Sequence, residues 1–296
     1  MLKITFWGAR GSIPVSGADF IRHGGATTCV EFELVGAACQ TPSRVVVDGG
    51  SGLAALGRSS VKSWEDVLVL QTHFHWDHIQ GYPLFAPFYR PSTQLRFLSV
   101  PREGASLRRV LSGQMAQPLF PVSLEALPAT LEFEDLKREG RRRFGGLEVE
   151  WTEMCHPSGS TAYRLTHADA SVVFSGDAEV RAGRRAELVE LARGADVLIM
   201  DAQYFADEYA DRRGFGHSTP EDALEIARKA EVGRLVLTHH DPGRTDDELD
   251  AQLRRLRRIA PDYLHVENAR QGLQLEVGGG WRAADAAETG VAEGVR

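Results

Sequence analysis

The stretch LVLQTHFHWDHIQG (residues 68–81) constrains this chain more than any other. Its apolar opening reads as a buried strand, and three histidines and an aspartate follow within six positions. Side chains two apart leave a strand on the same face, so His73 and His75 emerge together. The chain must then turn, which makes Asp77 and His78 the start of a new element aimed back at the same mouth. Imidazole and carboxylate groups at the end of a buried strand suit Zn²⁺ or another first-row divalent ion. One cation rarely draws four ligands from a hexapeptide, so the spacing points to two ions. A lone histidine reads more simply as a cap or a surface residue; the cluster HxHxDH does not.

A two-ion site needs further ligands, each placed where a strand ends. VEWTEMCHPSGS ends a strand at His156, SVVFSGDAE ends one at Asp177, and RLVLTHHDPG ends one at His239, with His240 as its competitor. The Asp177 carboxylate could bridge two cations. The first half reads as short strands with glycine turns (KITFW, TCVEFEL, RVVVDGG). Helical spacing appears in GASLRRVLSGQMAQ, and strands resume with GLEVEWTEM, STAYRLTH and ASVVFSGD. The last third alternates helix and strand from RAELVELARG through DVLIMDA, TPEDALEIARKA, RLVLTHH and DDELDAQLRRLRRIA to GLQLEV. That order predicts layered sheets covered outside by helices. Residues 1–279 read as one domain, and 280–296, rich in Gly and Ala without periodicity, as a mobile tail.

Composition excludes some partners. A formal charge of -7 over 296 residues speaks against bulk electrostatic capture of nucleic acid. The basic runs KREGRRRF (137–144) and LRRLRRIA (253–260) read as a loop and a solvated helix face. Cys29, Cys39 and Cys155 form no CxxC pair and read as reduced thiols of a cytoplasmic protein. No apolar run approaches the ~20 residues that span a bilayer, so no membrane partner is expected.

The five motifs, in this order, resemble those of the metallo-β-lactamase superfamily over roughly residues 1–277. The resemblance implies an α/β fold, a four-layered αββα sandwich with a dinuclear site between the sheets. It implies His73, His75 and His156 on the first metal, Asp77, His78 and His239 on the second, and Asp177 bridging. Zinc is the expected metal, with manganese or iron as alternatives. Asp48 in VVVDGGSG matches an early aspartate that buttresses such sites. Cys155 reads as a small buried thiol beside a ligand.

The segment HST (217–219), then a helix, a strand and His239, resembles the phosphodiesterase branch, which contains ribonuclease Z and the cyclic-phosphate and cyclic-nucleotide phosphodiesterases. FWGARGSIPVSG, RHGGATTCVEF and ENARQG are also similar to that branch, although Ala26 stands where relatives commonly carry Asn. The resemblance gives His217 and Asp77 catalytic roles; alternatively Ser218 or Thr219 caps a helix and His217 is incidental. The expected reaction is hydrolysis of a small, cyclic phosphodiester such as a cyclic nucleotide, by a hydroxide generated between the metals. Thioester or lactone hydrolysis and ribonuclease Z-like RNA cleavage are the alternatives. The usual long arm of ribonuclease Z is missing between Asp177 and His217, so nucleic acid is not the expected partner. A homodimer is expected. Arg10 reads as a phosphate clamp or a structural ion pair. Phe85, Phe88, Tyr89, Met115 and Phe120 of segment 82–128 read as core or as a wall for a nucleobase.

Overall fold

The computed structural model describes residues 1–37, 40–59 and 64–278; the segment 280–296 and Cys39 lie outside them. Alternation within short strands decides the layering. In β1 (Leu2–Gly8) and β2 (Cys29–Leu34), Leu2, Ile4, Phe6, Val30 and Phe32 face inward. In β3 (Arg44–Val47) and β4 (Val67–Gln71), Val45, Val47, Leu68 and Leu70 face inward, while Val46, Val67 and Val69 face out. Strands that are apolar on both faces must be covered on both. With β5 (Gln94–Ser99) and β6 (Thr130–Asp135) they form the first sheet, antiparallel from β1 to β3 and parallel from β3 to β6.

The second sheet repeats this plan. β7 (Gly140–Phe144), β8 (Leu147–Met154), β9 (Ser160–His167) and β10 (Ala170–Phe174) run antiparallel. β11 (Val197–Asp201), β12 (Arg234–Thr238) and β13 (His265–Asn268) then add in parallel. The late strand β14 (Gln274–Val277) crosses back to pair with β1. The inner faces share one core, in which Phe32, Val47 and Leu70 meet Val149, Tyr163, Leu165 and Ile199.

Helices cover the outer faces. α1 (Gly52–Ser59) lies over the first sheet; beyond β4 come the single-turn α2 (Trp76–Ile79) and then α3 (Leu107–Gln114), which also covers that sheet. α4 (Arg185–Ala192) covers the second sheet, followed by the single-turn α5 (Tyr209–Arg212) and by α6 (Pro220–Lys229) and α7 (Asp246–Arg257), which complete that layer. The expected αββα order is therefore present. Among the described residues, no helix is long and apolar enough to cross a membrane.

One local expectation is corrected. Residues 140–144 are not loop: they form the edge strand β7, whose exposed arginines pair with neighbours, Arg142 with Glu134 and Arg143 with Glu148. Charge on an edge strand blocks further pairing, which is why a basic run can be a strand there. For segment 82–128 the structure shows the core reading, not the wall for a nucleobase. Phe85, Phe88 and Met115 are buried under the first sheet and Phe120 packs on that cluster, leaving Tyr89 partly exposed. Run 253–260 begins, as expected, on α7, which opens with a Thr245–Glu248 capping box.

Phe32 is fully buried between the sheets. Phe32→Ala is expected to lower unfolding free energy by about 3–5 kcal/mol in urea titration, through lost burial and the cavity left behind.

Candidate metal centre

Strand ends converge at one edge of the sandwich. His73 follows β4 by two residues, and His75 immediately precedes α2, which carries Asp77 and His78. His156 lies two residues beyond β8, Asp177 three beyond β10, and His239 directly after β12. His239 has φ +59°, a left-handed turn that takes its ring off the strand direction. His240 points the other way, its Nε2 3.0 Å from the Ala269 carbonyl oxygen.

His73, His75 and His156 form one group and Asp77, His78 and His239 another; in each, one ligand atom per residue lies within 4.8 Å of the others. Asp177 stands between them. Its Oδ2 lies 3.5 Å from His73 Nε2, 3.7 Å from His156 Nε2, and 3.2 Å from both His78 Nε2 and His239 Nε2.

The hydrogen bonds around these rings decide which nitrogens are bare. His78 Nδ1 donates to Asp48 Oδ2 at 2.7 Å, and His239 Nδ1 donates to Gln203 Oε1 at 2.8 Å. Their two Nε2 atoms then face one another at 3.2 Å. His156 Nδ1 donates to the Gly216 carbonyl at 2.8 Å, which turns its Nε2 toward His75 Nδ1 at 2.9 Å. His73 Nδ1 bonds Thr72 Oγ1 at 3.0 Å, and its Nε2 is buried with no hydrogen-bond partner. A neutral imidazole carries one N–H, so facing nitrogens of this kind are lone pairs that call for a cation. The donor set fits two divalent ions.

Charge agrees. Burial disfavours the His78 and His239 imidazoliums, but Asp177 and Asp77 overcome it, lifting His78 well above its usual range and His239 to about 9. Burial likewise opposes the Asp77 and Asp177 carboxylates, and the histidines hold both below the usual carboxylate range. Burial pushes His73 well down and His156 to about 4. The carboxylates thus favour positive charge beside them, a proton on His78 or His239 or a divalent ion, while burial favours neutral rings at His73 and His156.

His217 borders this centre. Its ring stacks on His239 at 4.8 Å between centroids and meets His156 edge-on at 5.1 Å. Its Nδ1 lies 2.9 Å from Asp201 Oδ2. The cap belongs to Thr219, whose side chain accepts from Asp222 N at the start of α6, so capping and a site position for His217 hold together. Asp48 also accepts from Thr72 N at 2.8 Å and from Gln71 Nε2 at 2.9 Å, tying the end of β4 to His78.

Three residues went unread in the sequence. Asp201 sits at the end of β11, the same strand-end signal that marked the others. Gln203 carries no such signal. Gly11 matters by absence: a Cβ there would lie 2.3 Å from His239 Nδ1. Arg10 proves structural. It is fully buried and bonds the carbonyls of Gly24, Asp241 and Arg244 and the Asp246 carboxylate. Cys155 is half-buried rather than buried.

Among the described residues, two seven-stranded sheets with helices outside define an αββα protein, and its strand ends gather histidine–aspartate groups that could hold metal. Residues 43–240 match the family described as beta-lactamase superfamily domain, and the chain belongs to that family. It is 25% identical over 270 residues to a ribonuclease Z of Bradyrhizobium sp. (strain ORS 278), covering 74% of this chain and 88% of that one. The fold is shared with the metallo-beta-lactamase fold protein YhfI from Bacillus subtilis, at TM-score 0.69 and 21% identity over 93% of this chain and all of that one. A diphosphatase from the PhnP family follows at TM-score 0.65 and 19% identity, with 93% and 98% covered. These relatives give no support to the expectation that excludes nucleic acid.

Gly11→Ala is expected to displace the His239 ring and lower bound metal at least about tenfold in affinity, as measured by elemental analysis after dialysis against a buffered metal. Gly113→Ala, with nothing near its Cβ, leaves metal content unchanged. A second test concerns His240, which burial and neighbouring His23 and Arg10 push from 6.5 down to about 3. The unfolded chain then takes the proton first, so stability is full above pH 6.5 and drains away as the pH falls toward 3. Urea titrations of chelator-treated protein should show a shallower acid slope in His240→Gln than in the parent chain.

Proposed function

We propose that this protein is a metal-dependent phosphodiesterase acting on a small phosphodiester, such as a cyclic nucleotide or another cyclic phosphate. His73, His75 and His156 would hold one ion, Asp77, His78 and His239 the other, and Asp177 would bridge. Zinc fits this nitrogen-rich set, with manganese or iron as alternatives. When bound, such a pair supplies a lowered pKa for a coordinated water and positive charge against phosphate oxygens.

The observation that carries the reading is His217. Asp201 occupies its Nδ1, which leaves Nε2 free at the edge of the centre. An imidazole oriented this way can donate to a non-bridging phosphate oxygen or deliver a proton to the leaving alkoxide. Asp77 Oδ2 accepts from Ser12 N at 2.7 Å and so is held in one orientation between His78 and His239.

Substrate size follows from the segment between Asp177 and His217. It is filled by α4, β11, α5 and their short connections, with no extended arm to grip a long polyanion. The similarity to ribonuclease Z favours a second reading, cleavage of RNA near a 3' end. Precursor tRNA assayed beside cyclic nucleotides separates the two.

His217→Ala is expected to lower kcat on bis-p-nitrophenyl phosphate by about two to four orders of magnitude while metal content stays constant. Undiminished turnover in that variant removes His217 from the chemistry. Cleavage of acyl-thioesters or lactones alone, with phosphodiesters untouched, moves the protein to another branch.

A further inference from the structure

Glu179 lies two residues beyond Asp177, is 2% exposed, and stands outside the ligand groups. Its backbone N–H donates to the Cys155 carbonyl at 2.8 Å, next to His156. Its carboxylate accepts from Tyr209 Oη at 2.7 Å, from Gly214 N at 2.9 and 3.0 Å through its two oxygens, and from Gly216 N at 3.0 Å. One buried residue, through its backbone and its carboxylate, thus ties together the segments that carry His156, Asp177 and His217.

Besides Glu179, the loop is held by Phe215 N, which donates to the Arg212 carbonyl at 3.1 Å, and by the Gly216 carbonyl, which accepts from His156 Nδ1. Gly214 and Gly216 have φ +85° and +93°, where glycine has the widest freedom and the most entropy to lose. Phe215 between them is 53% exposed, so packing contributes little. Yet the loop must be fixed. The Gly216 carbonyl accepts from His156 Nδ1 and thereby sets which His156 nitrogen faces the centre, and His217 is the next residue.

We infer that Glu179 is a positioning residue, whose carboxylate pins the 214–217 loop and through it aligns His217 and His156 with Asp177. Its carboxylate accepts hydrogen bonds from Tyr209 and the amides of Gly214 and Gly216, and it is through these amides that it holds the loop. Its kinetic consequence rests on the phosphodiesterase reading; its structural consequence does not.

Glu179→Gln keeps the size but sets an NH₂ group against amide donors where a second acceptor oxygen stood. In metal-replete, full-length protein, hydrogen exchange at Gly214 and Gly216 followed by NMR is expected to speed up at least about tenfold, with β9 and β11 unchanged. At matched metal content, kcat on bis-p-nitrophenyl phosphate should fall about 10–100-fold with KM within about twofold. In a His217→Ala background the same change should cost clearly less than in the parent chain, because one of the two residues it positions is gone. Should Glu179→Gln unfold, Glu179→Asp serves the same measurements, with effects in the same direction. Unchanged exchange at the two glycines overturns the inference, and so does an undiminished kinetic cost in the His217→Ala background. If the parent chain turns over no phosphodiester, the function reading falls, and exchange alone decides the role of Glu179.

Discussion

His78 and His239 each give their Nδ1 proton to a fixed acceptor, Asp48 and Gln203, so in the neutral rings two bare Nε2 atoms would meet at 3.2 Å beside the Asp177 carboxylate. Lone pairs at that distance repel unless a positive charge sits near them. The fold supplies the opposing force. Asp48 receives four donors from Gln71, Thr72 and His78, and the Gly216 carbonyl fixes His156. Outer partners of this kind orient ligands and raise their basicity. The centre is held open by hydrogen bonds that the ligands make away from it.

The sheets explain why the ligands arrive together. Both contain a parallel stretch, β3 to β6 in one and β10 to β13 in the other. In open α/β sheets, ligand sites lie beyond the carboxyl ends of strands. His73, Asp177, Asp201 and His239 all occupy such ends, contributed by β4, β10, β11 and β12. Packing the two inner faces on one core brings these ends to a common edge, so hydrophobic burial is what sets the polar geometry.

This division marks what could be read from residues alone. The ligand motifs were legible because each combines a local signal, an apolar strand, with a coordinating side chain at its end. Layered sheets were legible in the order of strands and helices, and the four layers in the resemblance of the ligand motifs to a known superfamily. Gln203, Gly11 and Gly216 were not, since their roles arise only when segments far apart in the chain pack together. Arg10 is the opposite case, in which a phosphate clamp and a structural ion pair were both open. A lone arginine in a turn suits a phosphate, but only the fold reveals that three carbonyls and Asp246 already surround it. Residues 140–144 were misread because charge usually marks a loop, whereas an edge strand can carry arginines on both faces.

The same arrangement links the centre to stability. Asp77, Asp177 and Asp48 bury three carboxylates around the rings, and the raised His78 and His239 show that protons are drawn in to compensate. A protonated ring satisfies the charge but cannot coordinate, so protons and divalent ions compete for the same nitrogens. Any ion that binds the folded chain and not the unfolded one adds its binding free energy to folding. A divalent ion bound between these carboxylates and rings would therefore stabilise the αββα sandwich beyond what the helices and the inter-sheet core supply.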